Sequence, residues 1–373
     1  MASADAVHLS GVFCELGNGK AHRELQRNPR PLEESVSDAL AWLRQHEAWQ
    51  RGAESVVPRT SAPMGETAMR VVQFAEYGPP EVLHQAEMEC PVAGPGEIIL
   101  RVGAAAVNPA DTKWRQGMFR DVAPLTFPHV VGYDVAGTIA ATGEGVELLP
   151  GRRGVAMLSM GSKGGYAEFA RLPASDFVPI PETMDLAVAA ALPTAGLTGY
   201  QLIEDHLRPS PGETVLITGA TGAVGRFAVH AALALGARVV AAVRAGREDE
   251  ARALGAVKVF ELEPIDPSAE IPHFDHVCDT VGGAAVARIC ERLSGAGRIG
   301  TAATTPIPMQ GLAGPPEMMV VRPDPSRLAD LVQLVAQGDL SVPIACRLPL
   351  ESAPFAHHLI ERGGLSGKVV LEP

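Results

Sequence analysis

Thr214-Val-Leu-Ile-Thr-Gly-Ala-Thr-Gly-Ala-Val-Gly-Arg-Phe-Ala-Val-His-Ala-Ala-Leu-Ala-Leu-Gly-Ala-Arg-Val-Val-Ala-Ala-Val-Arg244 is the stretch that decides how this chain folds. An apolar, β-branched strand runs into glycines at 219, 222 and 225, and an alanine-rich helix and a second apolar strand follow. Each glycine answers a different demand. The first makes a tight turn, the second lets backbone N–H groups approach a pyrophosphate at the positive end of the helix, and the third lets helix and strand pack closely. A glycine triplet alone is weak, but this strand–turn–helix–strand context makes Gly219, Ala220, Thr221, Gly222, Ala223, Val224 and Gly225 a dinucleotide-binding turn. The second strand ends at Arg244, where an NAD site would offer Asp or Glu to the ribose 2′-hydroxyl. Arg244 and Arg247 stand there instead, a guanidinium pair suited to a 2′-phosphate, so the expected cofactor is NADPH.

Outward from this turn, strand-like and helix-like segments keep alternating from about Leu192 to Arg322, the rhythm of a parallel sheet covered by helices. Upstream, MRVVQFAEYG, EIILRVGAAAVN and HVVGYDVAGTIAATG are short β-branched runs separated by Gly and Pro, which predict a compact β-rich domain from Met69. The tail adds a helix over SRLADLVQLVAQG and a final strand at Lys368-Val-Val-Leu. Residues 1–67 differ from both. Leu32, Val36, Leu40 and Leu43 recur at helical spacing after Pro31, ahead of a Pro/Ser/Thr-rich linker, so this zone reads as a loosely attached arm with one helix.

Composition excludes several classes. A net charge of −12 argues against a general nucleic-acid binder, and no apolar run approaches a membrane span. Five scattered cysteines without a CxxC or CxxH pair support neither a disulfide framework nor a thiolate zinc knuckle. The first residues carry Asp5 and lack a basic region, so no secretory signal is read and the expected compartment is the cytoplasm. TGATGAVG also fits the short-chain reductase pattern. That reading needs a Tyr-x-x-x-Lys pair, and none of Tyr77, Tyr133, Tyr166 or Tyr200 has Lys four residues on.

With these segments in order, residues 69–373 resemble the medium-chain dehydrogenase/reductase superfamily, in its zinc-independent NADPH:quinone oxidoreductase-like branch. Val107-Asn-Pro-Ala-Asp-Thr-Lys-Trp-Arg-Gln-Gly117 resembles the family's VNPxDxxxRxG segment, Gly132-Tyr-Asp-Val-Ala-Gly137 its GxDxAG segment and Gly164-Gly-Tyr-Ala-Glu168 its GGYAE turn. Ala191–Tyr200, Asp279-Thr-Val-Gly-Gly283 and Gly367-Lys-Val-Val-Leu371 are similar to later landmarks. The resemblance implies an α/β protein: a Rossmann-type doubly wound parallel sheet over 191–322, a GroES-like β-rich catalytic domain over 68–190 and 323–373, and the extension over 1–67.

It also implies site residues. Thr198, Asp279 and Val281 would join the cofactor set. Asn108 would lie near the substrate oxygen, where it either donates a hydrogen bond to developing charge or caps the loop before Pro109. Tyr133 would donate a proton or be a buried structural residue, and Lys113 reads as a surface charge. Zinc-dependent relatives carry Cys where this chain has Asn108 and His-Glu where it has Tyr133-Asp134, so no metal is expected. Hydride acceptors that are already polarised, quinones and α,β-unsaturated carbonyl compounds, then fit best. Relatives that reduce enoyl thioesters carry a tyrosine in the first segment, and this chain has none there. A non-enzymatic NADP(H)-binding role and an alcohol dehydrogenase-like activity are the alternatives. A homodimer through an edge strand at Met318-Met-Val-Val321 is the expected assembly.

Overall fold

The computed structural model describes residues 68–159, 164–262, 271–312 and 314–373; the arm and helix read over 1–67 lie outside the described residues. The elements begin with β1 (Ala68–Phe74), β2 (His84–Glu89), β3 (Glu97–Val107) and α1 (Pro109–Arg115). Then come β4 (His129–Val130), β5 (Asp134–Thr142), β6 (Arg153–Met157), β7 (Phe169–Pro173) and β8 (Val178–Pro179). Helices α2 (Leu186–Ala190) and α3 (Pro193–Tyr200) lead to β9 (Thr214–Thr218), α4 (Ala223–Ala234), β10 (Arg238–Val243) and α5 (Glu248–Ala253). Next are β11 (Lys258–Glu261), β12 (Phe274–Asp279), α6 (Gly283–Cys290), β13 (Leu293–Thr301) and β14 (Glu317–Met318). Last are α7 (Pro325–Gln337), β15 (Ile344–Pro349), α8 (Ala353–Arg362) and β16 (Lys368–Glu372).

Contacts divide the described chain into two units, Thr194–Ser341 and residues 68–193 with Val342–Pro373. In the first, six parallel strands run in the order β11-β10-β9-β12-β13-β14. Val215, Leu216 and Ile217 of β9 are wholly buried, as a strand covered on both faces requires. The order reverses between β9 and β12, and ligands of such sheets bind at the carboxyl ends of the strands on either side of that reversal.

Two details depart from the sequence reading. Helix α7 belongs with this unit and not with the catalytic domain over 323–373. Asp324 caps it by accepting from the Arg327 N–H (2.9 Å), its Leu328, Leu331 and Val332 are buried, and Arg327 pairs with Glu204. The edge strand read at Met318–Val321 is only the two residues of β14, and Val320 beyond it is exposed. Among the described residues no helix is long and apolar enough to cross a membrane.

The second unit is β-rich. A seven-stranded sheet runs β15-β16-β3-β5-β6-β8 with β7 also on β3, beside a three-stranded sheet β2-β1-β4. Its centre is β3, whose first half pairs with β7 and whose last residues, Ala105–Val107, pair with β16. Ile98, Leu100, Phe74, Tyr166 and Phe169 fill the core beneath. Helix α1 starts directly after β3, and its Asp111, Thr112, Trp114 and Arg115 are buried.

Candidate functional site

In the Thr194–Ser341 unit the site is made almost entirely of backbone. The buried strand β9 stops at Gly219, whose φ of +64° is left-handed; a Cβ there would sit 2.6 Å from Thr280 Oγ1. The Gly222 N–H closes the turn on the Gly219 carbonyl (2.8 Å). At Gly225 a Cβ would run into that same carbonyl and lie 2.7 Å from Ala220 Cα, so helix and turn touch only because the side chain is hydrogen. No side chain caps the start of α4, Gly222 is exposed, and Thr221, Ala223 and Val224 are partly so. The first-turn N–H groups of α4 are therefore left for a ligand, with the positive end of the helix behind them. A pyrophosphate fits such a cradle.

Asp279 and Val281 reach the same place from β12. Asp279 is fully buried with both oxygens engaged. Oδ1 accepts from Thr218 Oγ1 (2.6 Å), Val281 N (3.1 Å) and Gly282 N (3.0 Å), and Oδ2 from Thr301 Oγ1 (2.7 Å). It thus ties the carboxyl ends of β9, β12 and β13 together, an organising role for a residue read from sequence as cofactor-binding. Exposed Val281 stands over Gly219, where a Cβ would lie 3.0 Å from its Cγ2. Thr198 is buried on α3, and its neighbour Gly199 backs onto the first turn of α4, where a Cβ would lie 2.7 Å from the Val224 carbonyl.

After β10, Arg244 is exposed and Arg247 half-buried. Arg247 pairs with Glu250 of α5, whose other oxygen accepts from Arg226 Nη2 (2.8 Å). Glu250, six residues after Arg244, is thus spent on arginines. Arg226 carried no signal in the sequence beyond being a cation in a mostly apolar helix.

In the other unit the polar groups face one another. Asn108 ends β3 at 2% exposure. Its main-chain N–H donates to Asp111 Oδ2 (2.7 Å), its Nδ2 donates to Asp134 Oδ2 (2.9 Å), and its Oδ1 accepts from Lys368 Nζ. The main chain thus takes part in the cap of α1, and the carboxamide lies in a buried network. Tyr166 donates to Asp111 Oδ2 (3.2 Å) and its hydroxyl lies 3.3 Å from His357 Nε2.

Burial dominates the electrostatics here. It pushes the Asp111 carboxyl up to about 7, opposed by the Asn108 N–H and reinforced by Asp134. It pulls Lys368 down against the attraction of Asp134 and Asp111, and takes His357 to about 3 with help from the Arg115 and His358 charges. Tyr133, 3% exposed, has its hydroxyl held far above the usual range by burial and then by Asp111, and that hydroxyl has no hydrogen-bond partner among the described residues. Lys113 is half-buried, which lowers its pKa while Glu361 opposes the shift. Lys368 and Asp111 were missed as site residues. A lysine placed just before an apolar strand was their only sequence signal, since a buried cation demands a carboxylate.

The zinc of related enzymes does not fit these donors. The Asn108 carboxamide oxygen is taken by Lys368, and Tyr133 holds its proton tightly. Among the described residues no group of three His, Cys, Asp or Glu side chains is placed to hold a metal ion.

Residues 94–182 match the family model described as alcohol dehydrogenase GroES-like domain, and residues 254–371 the one described as zinc-binding dehydrogenase. The chloroplast envelope quinone oxidoreductase homolog of Arabidopsis thaliana is 30% identical over 331 residues, 83% of this chain and 100% of that protein. The structure of the quinone oxidoreductase from Coxiella burnetii is similar with a TM-score of 0.71 at 25% identity, over 82% of this chain and 99% of that one. A thermostable alcohol dehydrogenase from Pyrobaculum aerophilum has a TM-score of 0.71 at 28% identity, over 82% of this chain and 100% of that one.

Proposed function

Since the chain belongs to the medium-chain dehydrogenase/reductase superfamily, in its quinone-oxidoreductase-like branch, we propose that it moves hydride from NADPH to a quinone or an α,β-unsaturated carbonyl compound without zinc. The observation that carries the reading is the glycine turn with an uncapped helix behind it and two arginines after β10. Gly219–Gly225 would hold the pyrophosphate and Arg244 and Arg247 the 2′-phosphate, with Thr198 and Val281 beside them. When bound, the reduced nicotinamide supplies two electrons and one proton as a hydride, and a second proton completes a hydroquinone or a saturated ketone.

The protein's own part is to orient and to neutralise. Tyr133 keeps its proton at all ordinary pH values, and its unspent hydroxyl makes it the donor to a substrate oxygen. Asn108 has one remaining Nδ2–H and a carboxamide fixed by Asp134 and Lys368, which suits it to hold an oxygen and not to shuttle a proton. The likeness to an alcohol dehydrogenase favours a second reading, alcohol oxidation, but the donor set offers no Lewis acid to hold an alkoxide. A homodimer through the open edge at β14, next to exposed Val320, belongs to the same proposal.

The test is NADPH absorbance loss over a panel of quinones and enones, with and without chelator, in the wild type and Arg244→Asp. Turnover that survives chelation and an NADPH affinity that Arg244→Asp weakens far more than NADH affinity are expected. Equal losses for the two cofactors overturn the 2′-phosphate assignment, binding without any turnover favours a non-enzymatic role, and chelator-sensitive alcohol oxidation favours the second reading.

A further inference from the structure

Resting on the NADPH reading above, we infer that Arg226 is a positioning residue that couples the pyrophosphate turn to the 2′-phosphate loop and so sets the preference for a phosphorylated dinucleotide. Arg226 follows Gly225 on α4 and is 3% exposed. All four of its terminal N–H bonds are spent. Nη2 donates to the Thr221 carbonyl inside the glycine turn (3.1 Å) and to Glu250 Oε1 (2.8 Å). Nη1 donates to the Ser341 carbonyl (3.0 Å) and to Ser341 Oγ (3.3 Å). The second oxygen of Glu250 holds Arg247. One guanidinium therefore braces from behind both segments that a 2′-phosphorylated dinucleotide would touch from the front.

The charges give the arrangement a direction. Phe227, Ala228 and Val229 of α4 are buried beside Arg226. A cation there costs desolvation that packing by a leucine would avoid. Its carboxylate partner Glu250 is shared with Arg247, so a 2′-phosphate that draws on Arg247 acts through Glu250 on Arg226. Anchoring Arg247 in turn keeps Glu250, Arg226 and the Thr221 carbonyl in place, so a 2′-phosphate firms the pyrophosphate turn as well as filling its own seat.

The experiment compares full-length Arg226→Lys and Arg226→Met with wild type by fluorescence titration of NADPH and NADH, with Arg244→Asp in parallel. Lysine keeps the charge but cannot reach Thr221, Glu250 and Ser341 at once. Arg226→Lys should weaken NADPH by about tenfold and NADH by only about twofold, and Arg226→Met by more in the same sense. A purely structural role would lower Tm and weaken both cofactors equally, and that result overturns the inference. If Arg244→Asp abolishes the preference while both Arg226 variants leave it intact, the coupling is refuted and the NADPH reading stands. If Arg244→Asp also changes nothing, both fall. A measurement independent of variant folding uses the wild type with adenosine 2′-monophosphate, which carries no pyrophosphate. It should slow amide hydrogen exchange across 221–226 as well as 244–250; protection confined to 244–250 refutes the coupling.

Discussion

At the end of β9 the chain offers a ligand its main chain, while around α1 its polar side chains meet one another beneath a closed β surface. The first place depends on what is missing: three hydrogens at 219, 222 and 225, and no capping side chain on α4. The second depends on what is present: Lys368, Asp134, Asp111 and Asn108, each satisfying or biasing the next. A cradle of backbone dipoles suits an anionic coenzyme that is the same in every turnover. A buried side-chain network suits the fixing of one carboxamide and one protonation state. The two should therefore fail differently when altered.

The largest contrast comes from adding one methyl group. Gly225→Ala places a Cβ against the Gly219 carbonyl and 2.7 Å from Ala220 Cα, with main chain on every side and nothing able to move aside. It should abolish measurable binding of either nicotinamide cofactor and lower unfolding free energy by about 3 kcal/mol or more. Calorimetric titration that still detects tight NADPH binding would show that helix and turn need not touch.

Removing a charge is the matching change in the other unit. Lys368→Met removes the buried cation that faces the Asp134 carboxylate and should cost about 3–5 kcal/mol of stability by urea denaturation at pH 6. Adding Asp134→Asn should recover most of that loss, because the uncompensated charge is then gone. Independent, additive losses would mean that the network is a set of separate contacts.

The effect that is smallest at any one pH step is a slope. The folded Asp111 carboxyl titrates at about 7 against an ordinary 3.8, so the native state holds a proton that the unfolded chain has released. Its stabilisation is complete below pH 4 and is lost as pH rises through 7, by up to about 1.4 kcal/mol per pH unit between those values. His357 acts in the opposite sense. Its folded value of about 3 against 6.5 makes stability fall as pH drops below 6.5. Asp111→Asn removes only the first of these, so the variant should gain on wild type steadily from pH 4 to pH 7. Parallel stability curves for the two proteins would return Asp111 to an ordinary carboxylate.

The same contrast explains what could be read in advance. Glycines at 219, 222 and 225 lie within seven residues of one another between two apolar strands, and each is required by local geometry; hence the turn, the parallel sheet and the residues at its carboxyl ends were legible. Tyr133 and Asn108 were visible only as members of a resemblance, with their roles open. The bond between Asn108 and Lys368 spans 260 residues, and no local periodicity encodes which strands β3 will meet. Helix α7 was misplaced for a related reason. Its apolar face is plain in Leu328, Leu331 and Val332, but a pattern of that kind says a face is buried and not against what. Arg226 is legible only backwards: once Glu250 and Thr221 are seen around it, its presence in an apolar helix makes sense.

The position of β16 has a consequence for the order in which the molecule is made. A ribosome releases β3, with Asp111 and Asp134 close behind it, long before Lys368, and the whole of Thr194–Ser341 emerges in between. Until then Ala105–Val107 lack one of their two partner strands and the two acids lack Lys368. The Thr194–Ser341 stretch is contiguous and free to form as it leaves the exit tunnel. Closure of the other sheet must wait for the last strand, so the nascent protein can own its glycine turn before the network around Asn108 is complete.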